Sequence, residues 1–177
     1  MNIDIRLIEE KYYSQVHRFQ CEYLDQESFE DFTKRVQSNP DFYFIALDGD
    51  EPVGVCYGHP SKRSPDEVVL QGIAVNLDVT KAYARRGIGS KLIEAFQKAA
   101  AKKGFRKIGF GAADDLKVEK FYLKNGFKAV ELVAKDSNYR EITRVKVDDY
   151  ESGKSLQQQL REQYRPREVI FIFEKIL

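Results

Sequence analysis

The chain has 177 residues and a formal net charge of +1, with 42% hydrophobic and 32% charged side chains. That suits a single domain, residues 1–177, with a real core and an ordinary water-facing surface. No run approaches the ~20 apolar residues of a membrane span, and two cysteines, Cys21 and Cys56, are too few for a disulfide scaffold or a thiolate metal site. The charge is unevenly spread: residues 1–60 carry twelve acidic and five basic side chains, about −7, so the remainder carries about +8. With no basic stripe, nucleic acid is not an expected partner. The opening "MNIDIRLIEEKYY" is charged from its fourth residue and has no secretory h-region, so the expected location is cytoplasmic and reduced.

In chain order, "IDIRLI" (3–8) alternates as a short strand. Residues 9–24 place Tyr13, Val16, Phe19, Tyr23 and Leu24 at helical spacing. Ser28 opens "SFEDFTKRV", with Asp31 three residues on in the manner of a capping box, and that helix should stop before Pro40. "FYFIALDGDEPVGVCYGHP" (42–60) is two strands about Asp48-Gly49-Asp50. "EVVLQGIAV" (67–75) is a strand whose interior Gly72 signals a bulge or a close ligand approach. After the loop "NLDVTKAYARRG" comes a helix, Ile88–Lys103, with Ile88, Leu92, Ile93, Phe96 and Ala100 on one face and Gly104 past its end. "KIGFGAA" is a strand, "DLKVEKFYLKNG" a short helix, and "FKAVELVAK" and "VIFIFEKIL" two more strands. Residues 137–168 hold a further strand reading, "ITRVKV", and a helix from Ser155 to Arg165, capped by Ser155 with Gln158 and stopped by Pro166.

The stretch "RRGIGSKLI" has the makings of a phosphate site. Gly87 and Gly89 carry no Cβ to block an approaching anion, and a helix N-terminus offers unpaired N–H groups. Gly89-Ser90-Lys91 has the wrong order for a nucleotide P-loop. The dinucleotide fingerprint fails because Leu92 stands where a third glycine is needed and a loop separates Val75 from Gly87.

The succession "LQGIAV", a loop, "RRGIGSKLI", "KIGFGAA" and "VEKFYLKNGFKAVE" resembles the acetyl-CoA-binding core of the GNAT superfamily of N-acetyltransferases, most clearly across residues 67–131. The resemblance implies an α/β fold with a mixed, mostly antiparallel sheet of about seven strands. Helices would cover both faces, and the sheet would splay at the acetyl-CoA site. It implies that Arg85, Arg86, Gly87, Ile88, Gly89 and Ser90 serve the pyrophosphate and that Ile73, Ala74 and Val75 pair with the pantetheine arm as an added strand would. Asp115 stands where the family often has an Asn that bonds the pantetheine. Ala84 stands where the family has Gln or Arg, and the loop from Val75 to Gly87 is longer than usual.

The implied reaction is acetyl transfer from acetyl-CoA to a primary amine by direct attack, without metal and without an acyl-enzyme. Tyr122 in "FYLKNGF" matches the family's general acid; the other reading of it is a core aromatic beside Phe121. The base is not legible. Gln71 lies nearest the position where relatives place Glu, and Glu67, His59, His17 or a water relay are the alternatives. The first two helices line the acceptor side in this superfamily, and Glu22, Asp25, Glu27, Glu30 and Asp31 would make an acidic rim there or a solvated helix face. The acceptor is a small-molecule or protein amine. The class-level rival is a non-catalytic acyl-CoA-binding sensor. Residues 137–168 read as an insertion whose helix, with Leu156, Leu160 and Tyr164 on one stripe, walls the acceptor site or packs on the outer sheet or on a second subunit of a homodimer.

Overall fold

The structure is a computed structural model describing residues 2–78 and 80–177. Among the described residues it is an α/β fold with an open, mostly antiparallel sheet of eight strands and five α-helices. The count exceeds the expected seven because the sequence "ITRVKV" is a full member of the sheet. By contact density the chain divides into two compact units, residues up to Ile108 with Leu177, and Gly109–Ile176.

In the first unit β1 (Ile3–Leu7), β2 (Tyr43–Asp48), β3 (Glu51–Pro60) and β4 (Glu67–Val75) follow one another, each antiparallel to the next. The β2–β3 turn is the two residues Gly49 and Asp50, and Gly49 takes the positive φ (+63°) that makes a glycine useful there. Pairing of β3 with β4 runs Tyr57↔Gly72 and then Gly58↔Leu70, so Gln71 is the extra residue of a bulge.

Alternation along β3 sorts its neighbours. Val55 and Tyr57 join Ile45, Tyr43 and Leu47 in a core with Val16 and Phe19 of α1 (Tyr13–Tyr23) and Phe32 and Val36 of α2 (Phe29–Ser38). On the opposite face, Gly54 and Gly58 lie under Leu92 and Phe96 of α3 (Ile88–Lys102), with Cys56 fully buried between them. The Ser28 Oγ accepts from the Asp31 N–H at 3.1 Å as the capping spacing requires, and α2 ends at Ser38, two residues before Pro40. The buried residues of α3 are the five of its apolar stripe, each contributing about 1.5–3 kcal/mol of burial for the larger side chains.

The second unit contains α4 (Leu116–Lys124), β6 (Lys128–Lys135), β7 (Glu141–Lys146), α5 (Tyr150–Tyr164) and β8 (Glu168–Ile176), while β5 (Lys107–Gly111) runs across the division. β6 lies between β7 and β8, antiparallel to both. An aromatic core joins Phe110, Tyr122, Phe127, Phe171 and Phe173.

Helix α5 departs from the expectation. It begins at Tyr150 with Asp149 as its cap, whose carboxylate accepts from the Ser152 N–H at 2.7 Å, so Ser155 and Gln158 are not its start. Gly153 is a packing glycine: a Cβ there would meet the Phe171 ring at 2.6 Å. The buried side of the helix is Gly153, Gln157 and Leu160, packed on β6 and β8, and Tyr164 is largely exposed.

Candidate active site

In the first unit, β4 delivers the chain into a loop held together by its own polar side chains. The Asn76 Oδ1 accepts from the Asp78 N–H at 2.8 Å and from the Tyr23 hydroxyl at 3.2 Å. The Asp78 carboxylate accepts from the Thr80 N–H and hydroxyl at 2.9 and 2.7 Å. Tyr83 is buried and donates its hydroxyl to Asp48. The backbone then passes through left-handed positions at Ala82 (φ +54°), Arg85 (+63°) and Gly87 (+75°). Two of these are not glycine, a local cost of order 1 kcal/mol each that the surrounding structure must over-determine.

Gly87 is the N-cap of α3. It supplies no side-chain cap, and no acidic residue stands in the first turn. The four N–H groups of residues 87–90, which precede the first intrahelical bond from Lys91 to Gly87, and the positive end of the helix are therefore left for an anion. Arg85, Arg86 and Gly87 are exposed and Gly89 and Ser90 half-buried, whereas the Ile88 side chain belongs to the core and can offer only its backbone. The Arg86 Nε donates to the Ala82 carbonyl at 2.6 Å, so this arginine also braces the loop. These residues fit a pyrophosphate. Ile73, Ala74 and Val75, half-buried, pair through β3 with Cys56, Val55 and Gly54.

Beside the β4 bulge lies a polar group that sequence reasoning missed. The Tyr57 ring stacks on Tyr43 with centroids 4.8 Å apart, and the Arg35 guanidinium lies 4.5 Å from the Tyr57 centroid. The Tyr57 hydroxyl donates to Asp25 Oδ2 at 2.9 Å, and the Gln71 side-chain amide donates to the same oxygen at 3.2 Å. Burial first, and then the charge of Asp25, push the Tyr57 phenol up, so it stays a donor. A Cβ on residue 72 would meet the Tyr57 ring at 2.7 Å, which gives Gly72 a reason that involves no ligand.

Two of the five acids of the expected rim, Glu27 and Glu30, are ion-paired. Glu27 is ion-paired with Arg35, and buried Gln20 donates to Glu27 and accepts from Arg35 and Tyr43. Glu30 pairs with Lys34 at 2.8 Å. Asp25 makes no ion pair among the described residues; its recorded donors are neutral. No spacing rule joins Gln20, Arg35, Tyr43 and Tyr57, which meet only through the fold.

Of the candidate bases, Glu67 is paired with Lys107 at 3.2 Å, and His59 is half-buried with its Nδ1 on the Pro60 carbonyl. His17 contacts the Glu27 carbonyl and the Cys21 thiol and packs against Phe29 and Phe32. No group of three or more metal-ligating side chains occurs among the described residues, and no helix of the described residues is long and apolar enough to cross a membrane.

In the second unit Tyr122 is 7% exposed, its ring 4.1 Å from Phe110 and within 6 Å of Phe121, Phe127 and Phe173 by centroids. Asp115 is the N-cap of α4, accepting from the Lys117 and Val118 N–H groups at 2.8 and 3.3 Å. A cap needs only an acceptor, so Asp serves here as well as Asn would.

The model of the Acetyltransferase (GNAT) family matches residues 4–127. No curated protein matches the chain closely enough in sequence to count as a relative. Among solved structures, Ard1 from Thermoplasma volcanium is 18% identical with a TM-score of 0.70, covering 100% of this chain and 99% of its own. Diaminobutyrate acetyltransferase EctA from Paenibacillus lautus, solved with L-2,4-diaminobutyric acid and coenzyme A, is 16% identical at 0.68, covering 97% and 94%. A ribosomal-protein-alanine N-acetyltransferase from Brucella melitensis is 13% identical at 0.68, covering 98% and 99%. At these identities the likeness is one of fold.

Proposed function

The chain belongs to the GNAT acetyltransferase family, and on that premise we propose that it moves an acetyl group from acetyl-CoA to a primary amine by direct attack, with Tyr122 as general acid. The observation that carries this reading is the start of α3: a left-handed glycine cap, no acid in the first turn, and two exposed arginines before it. Arg85, Arg86 and the N–H groups of residues 87–90 hold the pyrophosphate. Ile73, Ala74 and Val75 bind the pantetheine, with Asp115 as a further acceptor.

Bound acetyl-CoA supplies an activated thioester carbonyl. The backbone N–H near Ile73 polarises that carbonyl as negative charge develops. The Tyr122 hydroxyl protonates the leaving thiolate, whose conjugate acid has a pKa near ~8.5. A lysine-like amine, with a pKa near ~10.4, must lose a proton to attack. Glu67 is committed to Lys107 and Gln71 is an amide, so the proton leaves through water. The acceptor is an amine on a small molecule or a protein. The free thiols of Cys21 and Cys56 support a reducing, cytoplasmic setting.

The ion-paired state of Glu67 is also what favours the second reading, a non-catalytic acyl-CoA-binding sensor. Release of coenzyme A thiol in the presence of a panel of small-molecule and peptide amines separates the two. Amine-dependent release supports the enzyme; tight acetyl-CoA binding with none selects the sensor.

A further inference from the structure

Helix α5 is joined to α4 and its approach at two places within the second unit. Glu119 of α4 is 1% exposed, a position where a carboxylate is costly unless well partnered. It accepts from the Tyr150 hydroxyl at 2.7 Å, the Lys154 ammonium at 3.0 Å and the Gln157 amide at 3.5 Å, all from α5. Gln157, itself 1% exposed, also accepts from Lys154 at 2.7 Å and donates to the Val169 carbonyl at 2.8 Å, which fixes the network to β8. Further along α5, Arg161 donates to Asp114 Oδ1 at 2.5 Å, and the other oxygen of Asp114 accepts from the Val169 N–H at 3.0 Å. Asp114 immediately precedes the cap of α4, and Glu119 lies three residues, nearly one turn, before Tyr122.

We propose that α5 is a brace that sets the axial rotation of α4 and so the direction of the Tyr122 hydroxyl, with Glu119 and Asp114 as positioning residues. The inference rests on the reading of Tyr122 as general acid. Its leverage is geometric. A tyrosine hydroxyl lies roughly 8 Å from its helix axis, so a rotation of about 10° carries it on the order of 1 Å, enough to cost catalysis heavily. A buried carboxylate with three directed donors does not tolerate such a slip, so the network on Glu119 fixes the rotation of α4. An apolar pair would hold α5 to α4 at lower desolvation cost, so the polar network is suited to orientation more than to adhesion.

The test is a double-mutant cycle read in kcat. Glu119→Gln keeps the side-chain size and removes the charge. It should lower kcat on the order of tenfold in the wild-type background, leave the calorimetric Kd for acetyl-CoA within about twofold, and lower kcat no further in a Tyr122→Phe background. Arg161→Ala, on a side chain 41% exposed, should give the same pattern and serves if Glu119→Gln does not fold. An equal fall in both backgrounds, or an unchanged kcat in a folded variant, overturns the brace. An undiminished kcat for Tyr122→Phe alone overturns the general-acid reading, and the brace with it.

Discussion

Tyr83 donates its hydroxyl hydrogen to Asp48 Oδ2 across 2.7 Å, tying the loop that enters α3 to the end of β2. Tyr83→Phe removes that tie, and we expect acetyl-CoA to bind about five- to tenfold more weakly, the scale of one hydrogen bond to a charged group. The kcat at saturating acetyl-CoA should hold. The hydrogen bond to Asp48, with burial second, pushes the phenol up to about 12. A raised pKa stabilises the fold fully below the unfolded value near ~10 and ceases to do so as pH rises through 12. Denaturant melts should therefore separate wild type from Tyr83→Phe at neutral pH and converge in strong alkali.

Gly89→Val tests the pyrophosphate site itself. A branched side chain in the first turn of α3 would obstruct an anion approaching the N–H groups there. Affinity for acetyl-CoA should fall ~10-fold or more by calorimetry. Unchanged affinity in a folded variant removes the loop from the site.

Gly72→Ala should act on the polar group around Tyr57. The new Cβ would lie 2.7 Å from the Tyr57 ring, which is stacked on Tyr43 and cannot yield freely. A loss of about 1–3 kcal/mol in stability is expected, as for other overpacked sites. Tyr57 fluorescence or the chemical shifts of its ring should change with it; an unaltered melting curve would show that the stack gives way easily.

Glu27 makes an acid-side prediction. Burial pushes its carboxyl up, but hydrogen bonds from Arg35 and Gln20 and the Arg35 charge hold it below the usual range. A lowered pKa stabilises the fold above the unfolded carboxyl value near ~4.3 and is lost as pH falls through the folded value. Glu27→Gln should lower stability at neutral pH, leaving half-buried Arg35 unpaired, and flatten the acid limb of a stability–pH curve. A parallel curve for the variant would contradict this.

What could be read from the residues was local. Ser28 caps Asp31, Gly49 turns the hairpin, Gly104 follows α3, and the five-residue stripe of α3 is its buried face. Where a residue answers to a distant partner, reading along the chain fails. Ser155 looks like a cap until Asp149 is seen to cap the helix, with Gly153 inside it packed under Phe171. Gly72 signals the bulge beside it, and what lies against it is the Tyr57 ring. The glycines and arginines before α3 were legible because consecutive residues make a helix N-terminus. The groups around Asp25 and Glu119 were not, since each joins residues more than thirty positions apart.

Cys56 sits at the centre of β3 with no exposure, and burial pushes its thiol up, while Cys21 is half-buried against His17. Thiolate, the reactive form, is thus withheld at Cys56, whereas Cys21 lies nearer the surface. A thiol-specific dye should count one site on the native molecule and two on the unfolded chain. The rate at which the second site takes up dye then times the opening of the sheet's interior, with no label engineered into the molecule.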